Sequence, residues 1–311
     1  MPIQPNQNAL EALGRALACR GYRFICPTPS TYEIVLGRRP GGLLDLREIF
    51  GWNRLFSEND LEPDILSIMR ENKLVEAVGE KLRSRVRYST VDDFIFAHSA
   101  YPTLDEDSVF FGPDTYRFVS FIQRSIKKWR PRDDVLRILD LGCGSGVGGI
   151  IAAKAFTGPI DLTLADINLG ALTFSRANAN IAEQKATIIE SDLFAALEGQ
   201  FDLIVMNPPY LCDDKQRVYR HGGDNYGTAL PVRMVREALG RLAPRGVLLA
   251  YTGAPILRGE DRFFRDIQPL LPASASFGYE EIDPDIFNQE LTQAAYADVD
   301  RIAAVTLWVE R

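Results

Sequence analysis

The stretch Val135-Leu136-Arg137-Ile138-Leu139-Asp140-Leu141 runs without a break into Gly142-Cys143-Gly144-Ser145-Gly146. A short apolar run closed by glycines reads as a buried strand that turns sharply into a helix. Glycine enters positive φ freely and lets a ligand approach with no Cβ in the way. The helix that follows offers N–H groups with no intrahelical partner, a natural seat for an anionic ligand. Such a loop is shared by several nucleotide-cofactor folds. Gly144, Gly146 and Gly149 satisfy the Gly-x-Gly-x-x-Gly spacing of dinucleotide-binding proteins. The loop alone therefore leaves an NAD(P)-dependent oxidoreductase open.

Working outward, apolar runs alternate with amphipathic stretches from about Arg130 onward, the pattern of a parallel α/β sheet. Strands are expected at Val135–Leu141, Ile160–Asp166, Ala186–Glu190, Phe201–Met206, Gly246–Tyr251, Ala275–Glu281 and Ala303–Glu310, with helices at Ile150–Phe156, Leu169–Ala182 and Leu230–Leu242. No long helix separates the last two strands, so they are expected to form an antiparallel hairpin at the sheet edge. Upstream the pattern changes. Asn8–Cys19 is helical by period, Tyr32–Leu36 reads as a strand, Leu43–Phe50, Pro63–Arg70 and Leu74–Leu82 read as helical, and Phe94–Ala97 as a strand. Three segments are expected: a smaller, winged-helix-like α+β domain over 1–92, a connection over 93–130, and a catalytic domain over 131–311.

Composition narrows the class. The chain has 311 residues, with 46% hydrophobic and 25% charged, an ordinary globular composition. No apolar run approaches the roughly 20 residues of a membrane span, and the N-terminal sequence does not read as a signal peptide, so a cytoplasmic protein without membrane contact is expected. Cys19, Cys26, Cys143 and Cys212 form no Cys-x-x-Cys pair, and only His98 and His221 are present. No metal site or disulfide framework is expected. The net charge of -7 disfavours a nucleic-acid partner, although Lys81, Arg83, Arg85 and Arg87 form one basic run. His98 reads as a core or turn histidine, and Cys143 as the small residue the loop requires.

Acids at the ends of the next strands add detail. Asp166 can accept both hydroxyls of a ribose, in adenosylmethionine or in a dinucleotide. Asp192, followed by Leu193, can accept from an adenine amino group while the leucine lies on the ring. Alternatively, Asp192 is a helix N-cap. Asp140 either holds a ligand ammonium or fixes the glycine loop.

The sharpest signal is Asn207-Pro208-Pro209-Tyr210, directly after Phe201–Met206. Each proline fixes φ near -65°, lacks an N–H and extends the residue before it. The stiff turn projects the Asn207 amide oxygen and the Pro208 carbonyl, two acceptors for the hydrogens of one NH2 group. Tyr210 offers a flat ring on which a planar group can stack. An amide or exocyclic aromatic nitrogen is a poor nucleophile because its lone pair is delocalised. Acceptors out of the conjugation plane favour the pyramidal, positively charged nitrogen of the transition state.

On these residues the stretch from Val135 to Tyr210, and more loosely residues 105–255, resembles class I S-adenosylmethionine-dependent methyltransferases of the HemK type, the protein-glutamine N5-methyltransferases. The tetrapeptide is also found in adenine- and guanine-N-methyltransferases. The resemblance implies a Rossmann-like α/β fold and S-adenosylmethionine as cofactor, with S-adenosylhomocysteine as product. It places Asn207, Pro208 and Tyr210 in catalysis. It implies cofactor contacts from Asp140, Gly142, Cys143, Gly144, Gly146, Asp166, Ile167, Asp192, Leu193 and Asn207. Phe111-Gly112-Pro113-Asp114-Thr115 resembles the family's Pro-x-Thr segment over the cofactor, which adds Phe111 and Thr115. Pro209, Tyr210, Arg217, Arg220 and His221 are the candidate acceptor-binding residues. The Tyr219-Arg220-His221 run is unlike the family, so Arg217 and Arg220 either bind a carboxylate or phosphate or build the loop. The expected activity is N-methylation of a planar amide-type or aromatic nitrogen on a protein side chain or small metabolite, with an RNA or DNA base as the alternative acceptor.

Overall fold

The structure is a computed structural model and describes residues 6–38, 44–103, 105–129 and 135–311. It divides into two compact units, 1–117 with 144–147 and 169–185, and 118–143 with 148–168 and 186–311.

The N-terminal unit opens with α1 (Gln7–Cys19), capped by the Asn6 side chain accepting the Asn8 N–H at 2.9 Å. Leu10, Leu13 and Leu17 recur at helical spacing and are fully buried. Then come α2 (Pro29–Arg38), α3 (Leu46–Phe50), α4 (Pro63–Glu71), the β1 (Val75–Val78) and β2 (Lys81–Ser84) hairpin, and the β3 (Val86–Val91) and β4 (Phe94–Ser99) hairpin. Helix α7 (Leu169–Ile181) belongs to this unit and packs on α1 and β4.

Two expectations fail here. Tyr32–Leu36 is helical, not a strand. Its β-branched and aromatic residues are overruled by a start signal, since Thr28 Oγ1 accepts the Thr31 N–H at 3.3 Å and Pro29 opens the helix. Leu74–Leu82 is the β1–β2 hairpin, not a helix. Val78 pairs with Lys81 across Gly79-Glu80, with Gly79 at φ 61°. The residues at helical spacing were also valines, which suit a strand.

The second unit is one twisted sheet in which the strands Ser276–Asp283, Arg301–Glu310, Leu242–Leu257, Phe201–Met206, Leu136–Leu141, Ile160–Asp166 and Thr187–Glu190 lie side by side in that order, with the two-residue β10 (Glu260–Asp261) paired to the strand Leu242–Leu257. Strands β5 (Leu136–Leu141), β6 (Ile160–Asp166), β7 (Thr187–Glu190), β8 (Phe201–Met206) and β9 (Leu242–Leu257) run parallel, and β12 (Arg301–Glu310) lies antiparallel between β9 and β11 (Ser276–Asp283). This is the Rossmann-like α/β sheet with an antiparallel C-terminal pair expected from the sequence. Helix α6 (Val147–Lys154) follows the glycine loop, and α9 (Ala229–Arg241), α10 (Arg262–Ile267) and the turn α8 (Asp224–Gly227) complete the set. Ile204, Met206, Leu248, Ala250, Val305 and Leu307 form the core with Met234, Val235 and Phe263 of α9 and α10. The region 93–130, expected as a connection, contains the 14-residue helix α5 (Pro113–Ile126). Strand β9 extends well beyond Gly246–Tyr251 at both ends. Among the described residues no helix is long and apolar enough to cross a membrane.

Candidate active site

Three neighbouring strands end side by side. Leu141 of β5 pairs with Ala165 of β6 on one side and with Met206 of β8 on the other. Gly142, Asp166 and Asn207 are therefore the next residues on adjacent strands, spaced about 4.8 Å strand to strand. The order of strands reverses at β5, and the crevice beyond the carboxyl ends at such a switch point is where ligands bind in open α/β sheets. The glycine loop and the double-proline corner share this edge.

The loop is built by its glycines. Gly142, Gly144 and Gly146 have φ of 70°, 54° and 76°, values that L side chains rarely adopt. The N–H groups of Gly142 and Cys143 both donate to the Ala165 carbonyl, at 2.8 and 3.0 Å. Asp140 is 2% exposed and accepts the Gly149 N–H at 2.7 Å. Its carboxyl is pushed up to about 8, chiefly by burial, with the Asp166 charge adding to the shift and the Gly149 N–H opposing it. This bond ties Asp140 to the first turn of α6.

Asp166 is half-buried, and its Oδ1 accepts the Asn168 N–H at 2.9 Å. Ile167 beside it is 55% exposed, which leaves an apolar face next to a carboxylate. Asp192 lies at the surface with an oxygen 3.8 Å from the Arg233 guanidinium. Leu193 is half-buried with φ 50°. The side chain that turns this corner is Ser191, whose hydroxyl accepts the Ala196 N–H at 3.0 Å and donates to the Leu193 carbonyl at 2.7 Å. In the N-terminal unit, the buried Phe111 ring stacks on His98 with centroids 4.9 Å apart, and Thr115 Oγ1 accepts the Gly112 N–H.

At the corner, Asn207 and Pro209 are half-buried, while Pro208 and Tyr210 are buried. The Tyr210 ring meets Phe287 edge-on, centroids 6.0 Å apart. The chain after Tyr210 closes on itself. The Leu211 N–H donates to the Arg220 carbonyl at 3.1 Å and the Gly222 N–H to the Leu211 carbonyl at 2.8 Å.

Inside this loop the candidate acceptor residues already have partners. Arg217 holds Asp213 through its guanidinium and its backbone N–H, which keeps that carboxyl down at about 2. Arg220 pairs with Glu290, and His221 Nδ1 accepts the Asp213 N–H at 3.2 Å. Sequence reasoning missed Asp213, Phe287, Glu290 and Tyr296, whose hydroxyl accepts the Cys212 N–H at 2.7 Å. Three of them lie on the β11–β12 connection, far away in sequence, and only the paired register of those strands brings them here.

The basic run is not one surface patch. Arg87 is 4% exposed. It donates to the Gly51 carbonyl at 2.9 Å and to Cys26 Sγ at 3.1 Å, and lies over the Tyr32 ring. Every residue of β3 is buried, Arg87 among them, while Lys81 at the start of β2 stays exposed. His98 is buried, bonded to Ser89 Oγ at 2.8 Å and held well below its ordinary value by burial.

Residues 130–252 match the family model "Methyltransferase small domain". The chain is 28% identical over 221 residues to the release factor glutamine methyltransferase of Lactococcus lactis, covering 66% of this chain and 79% of that one. It is 38% identical over 139 residues to the ribosomal protein uL3 glutamine methyltransferase of Francisella tularensis, 39% of this chain and 42% of that one. It is 36% identical over 112 residues to the ribosomal RNA small subunit methyltransferase C of Hamiltonella defensa, 36% of this chain and 30% of that one. The shared region thus spans less than half of the last two relatives. The ambiguity of the glycine loop between a nicotinamide cofactor and S-adenosylmethionine is resolved for the second: residues 130–252 form an S-adenosylmethionine-dependent methyltransferase domain.

Proposed function

We propose that the whole chain is a protein-glutamine N-methyltransferase that transfers the methyl group of S-adenosylmethionine to a side-chain amide nitrogen. The carrying observation is the shared edge at which Asn207 follows β8 one strand away from Gly142 after β5. Two arguments favour a protein amide over a nucleic-acid base. The likeness to the release factor enzyme extends over 79% of that protein, whereas the likeness to the rRNA enzyme covers 30% of it. The net charge of -7 opposes phosphate binding, and the inward Arg87 shortens the one basic run.

The donor set fits the cofactor. In this reading Asp166 would accept from the ribose, Ile167 and Leu193 would cover the adenine faces, Asp192 would accept the amino group, and the Gly142–Gly146 loop would lie under the methionyl portion. Bound adenosylmethionine supplies an electrophilic methyl group. Asn207 Oδ1 and the Pro208 carbonyl accept the two hydrogens of the target amide, so its lone pair leaves conjugation. These acceptors strengthen as positive charge grows on the nitrogen, which is transition-state binding. The Tyr210 ring supports the amide plane, and Pro209 stiffens the turn. The methylated nitrogen is acidic and releases its surplus proton to water. Arg217, Arg220 and His221 build the wall beside the corner. Residues 131–311 carry this chemistry, and residues 1–92 recognise the acceptor, with 93–130 joining them.

The test is incubation with labelled adenosylmethionine and, separately, a bacterial release factor, ribosomal protein uL3 and 16S rRNA. Label in either protein that is lost on replacing its glutamines supports the reading. Label in the RNA alone overturns it. An RNA acceptor would also lose its label when Lys81, Arg83 and Arg85 are neutralised and Arg87 is left in place.

A further inference from the structure

Asn178, on α7, is fully buried and uses its whole amide. Oδ1 accepts the Ala97 N–H at 2.7 Å, and Nδ2 donates to the Ala97 carbonyl at 3.0 Å and to the Ser145 carbonyl at 2.9 Å. The first two bonds imitate the pairing a neighbouring strand would make with β4. The third holds the residue between Gly144 and Gly146, in the middle of the glycine loop.

Glycines at positive φ on either side of Ser145 impose little steric limit on the loop, so its shape is set from outside. Residues 144–147 and α7 belong to the same compact unit as residues 1–117. The β3–β4 hairpin and the centre of the cofactor loop are therefore joined through the Asn178 side chain. Only a primary amide serves both carbonyls and the N–H. Aspartate would set a carboxylate against two carbonyl oxygens, and leucine would leave all three backbone groups buried without partners.

We propose that Asn178 is a positioning residue for the cofactor loop, through which the N-terminal unit takes part in binding adenosylmethionine. The ligand's identity rests on the methyltransferase reading; the link from Ser145 to Ala97 does not.

The test follows the Ala97 amide by hydrogen exchange, with S-adenosylhomocysteine as the probe. In the wild-type chain, adding the probe should slow exchange at Ala97. In Asn178→Asp, calorimetry should show roughly tenfold to hundredfold weaker probe binding, the order expected for losing buried hydrogen bonds. A merely structural asparagine would lower the melting temperature without any probe-dependent protection at Ala97. Wild-type exchange at Ala97 that ignores bound probe overturns the proposal, and it decides the matter even if the variant fails to fold. Unaltered probe affinity in a folded Asn178→Asp chain overturns it equally. A wild-type chain that binds no probe overturns the adenosylmethionine reading itself, and the proposal with it.

Discussion

The ring of Tyr210 occupies the space that a side chain at Gly253 would need. A Cβ built on Gly253 would stand 2.4 Å from Cδ2 and 2.5 Å from Cε2 of that ring, far inside van der Waals contact. Gly253 lies in β9, opposite Ala304 of β12, so its backbone cannot easily retreat. The Gly253→Ala variant should displace the Tyr210 ring and lower turnover by roughly tenfold or more, on the scale of a misplaced catalytic group. S-adenosylhomocysteine affinity should change less than about twofold, a negligible energy. A double-mutant cycle identifies the route: with Tyr210→Ala already in place, Gly253→Ala should cost nothing further. Additive losses would mean that Gly253 acts on something other than the ring.

Asn207 is half-buried at the end of a strand whose preceding five residues, Asp202 apart, are buried, so its position is fixed while its amide stays accessible. Asn207→Ala should cut turnover by about a hundredfold or more, as for the loss of one transition-state hydrogen bond. Cofactor affinity should fall far less than turnover, because the Asn207 amide oxygen is proposed to serve chiefly the acceptor nitrogen. Single-turnover kinetics together with calorimetry separates the two effects. Wild-type turnover in this variant would remove Asn207 from the chemistry.

The catalytic sheet was legible because its signals are local. A parallel strand buried on both faces reads as a continuous apolar run, and β5, β6 and β8 match their expected spans to within a residue. The corner was legible because two prolines leave a turn few options. The N-terminal unit was read less well, since β-branched residues at helical spacing serve either structure until a cap or a turn glycine decides, as at Thr28 and Gly79. Two relationships had no sequence signal at all. Asn178 looks like any helix residue until Ala97 and Ser145 are found beside it. Arg217 and Arg220 leave an acceptor role and a loop-building role equally open until Asp213 and Glu290 are found facing them.

Asp166 and Asp140 stand on adjacent strands but should respond to mutation in different ways. Asp166 is the half-exposed carboxylate at the strand end, so Asp166→Ala should weaken S-adenosylhomocysteine binding by a few kcal/mol, on the order of two charge-assisted bonds. Calorimetry showing wild-type affinity would cancel the ribose assignment.

Asp140 should govern the pH dependence of stability instead. Its native carboxyl titrates near 8, against about 3.9 in an unfolded chain. Below pH 4 both states hold the proton, and the group contributes nothing. Between pH 4 and 8 the unfolded chain releases the proton while the native chain retains it. The native state then binds more protons, so stability falls as pH rises, by at most about 1.4 kcal/mol per pH unit. Above pH 8 both states are ionised and the loss stops growing. Asparagine keeps an oxygen for the Gly149 N–H and has no proton to lose. Asp140→Asn should therefore show a flatter decline in unfolding free energy between pH 5 and 8 than the wild-type chain, measured by denaturant titration at each pH. Parallel curves for the two proteins would show that the buried carboxyl does not titrate in that window.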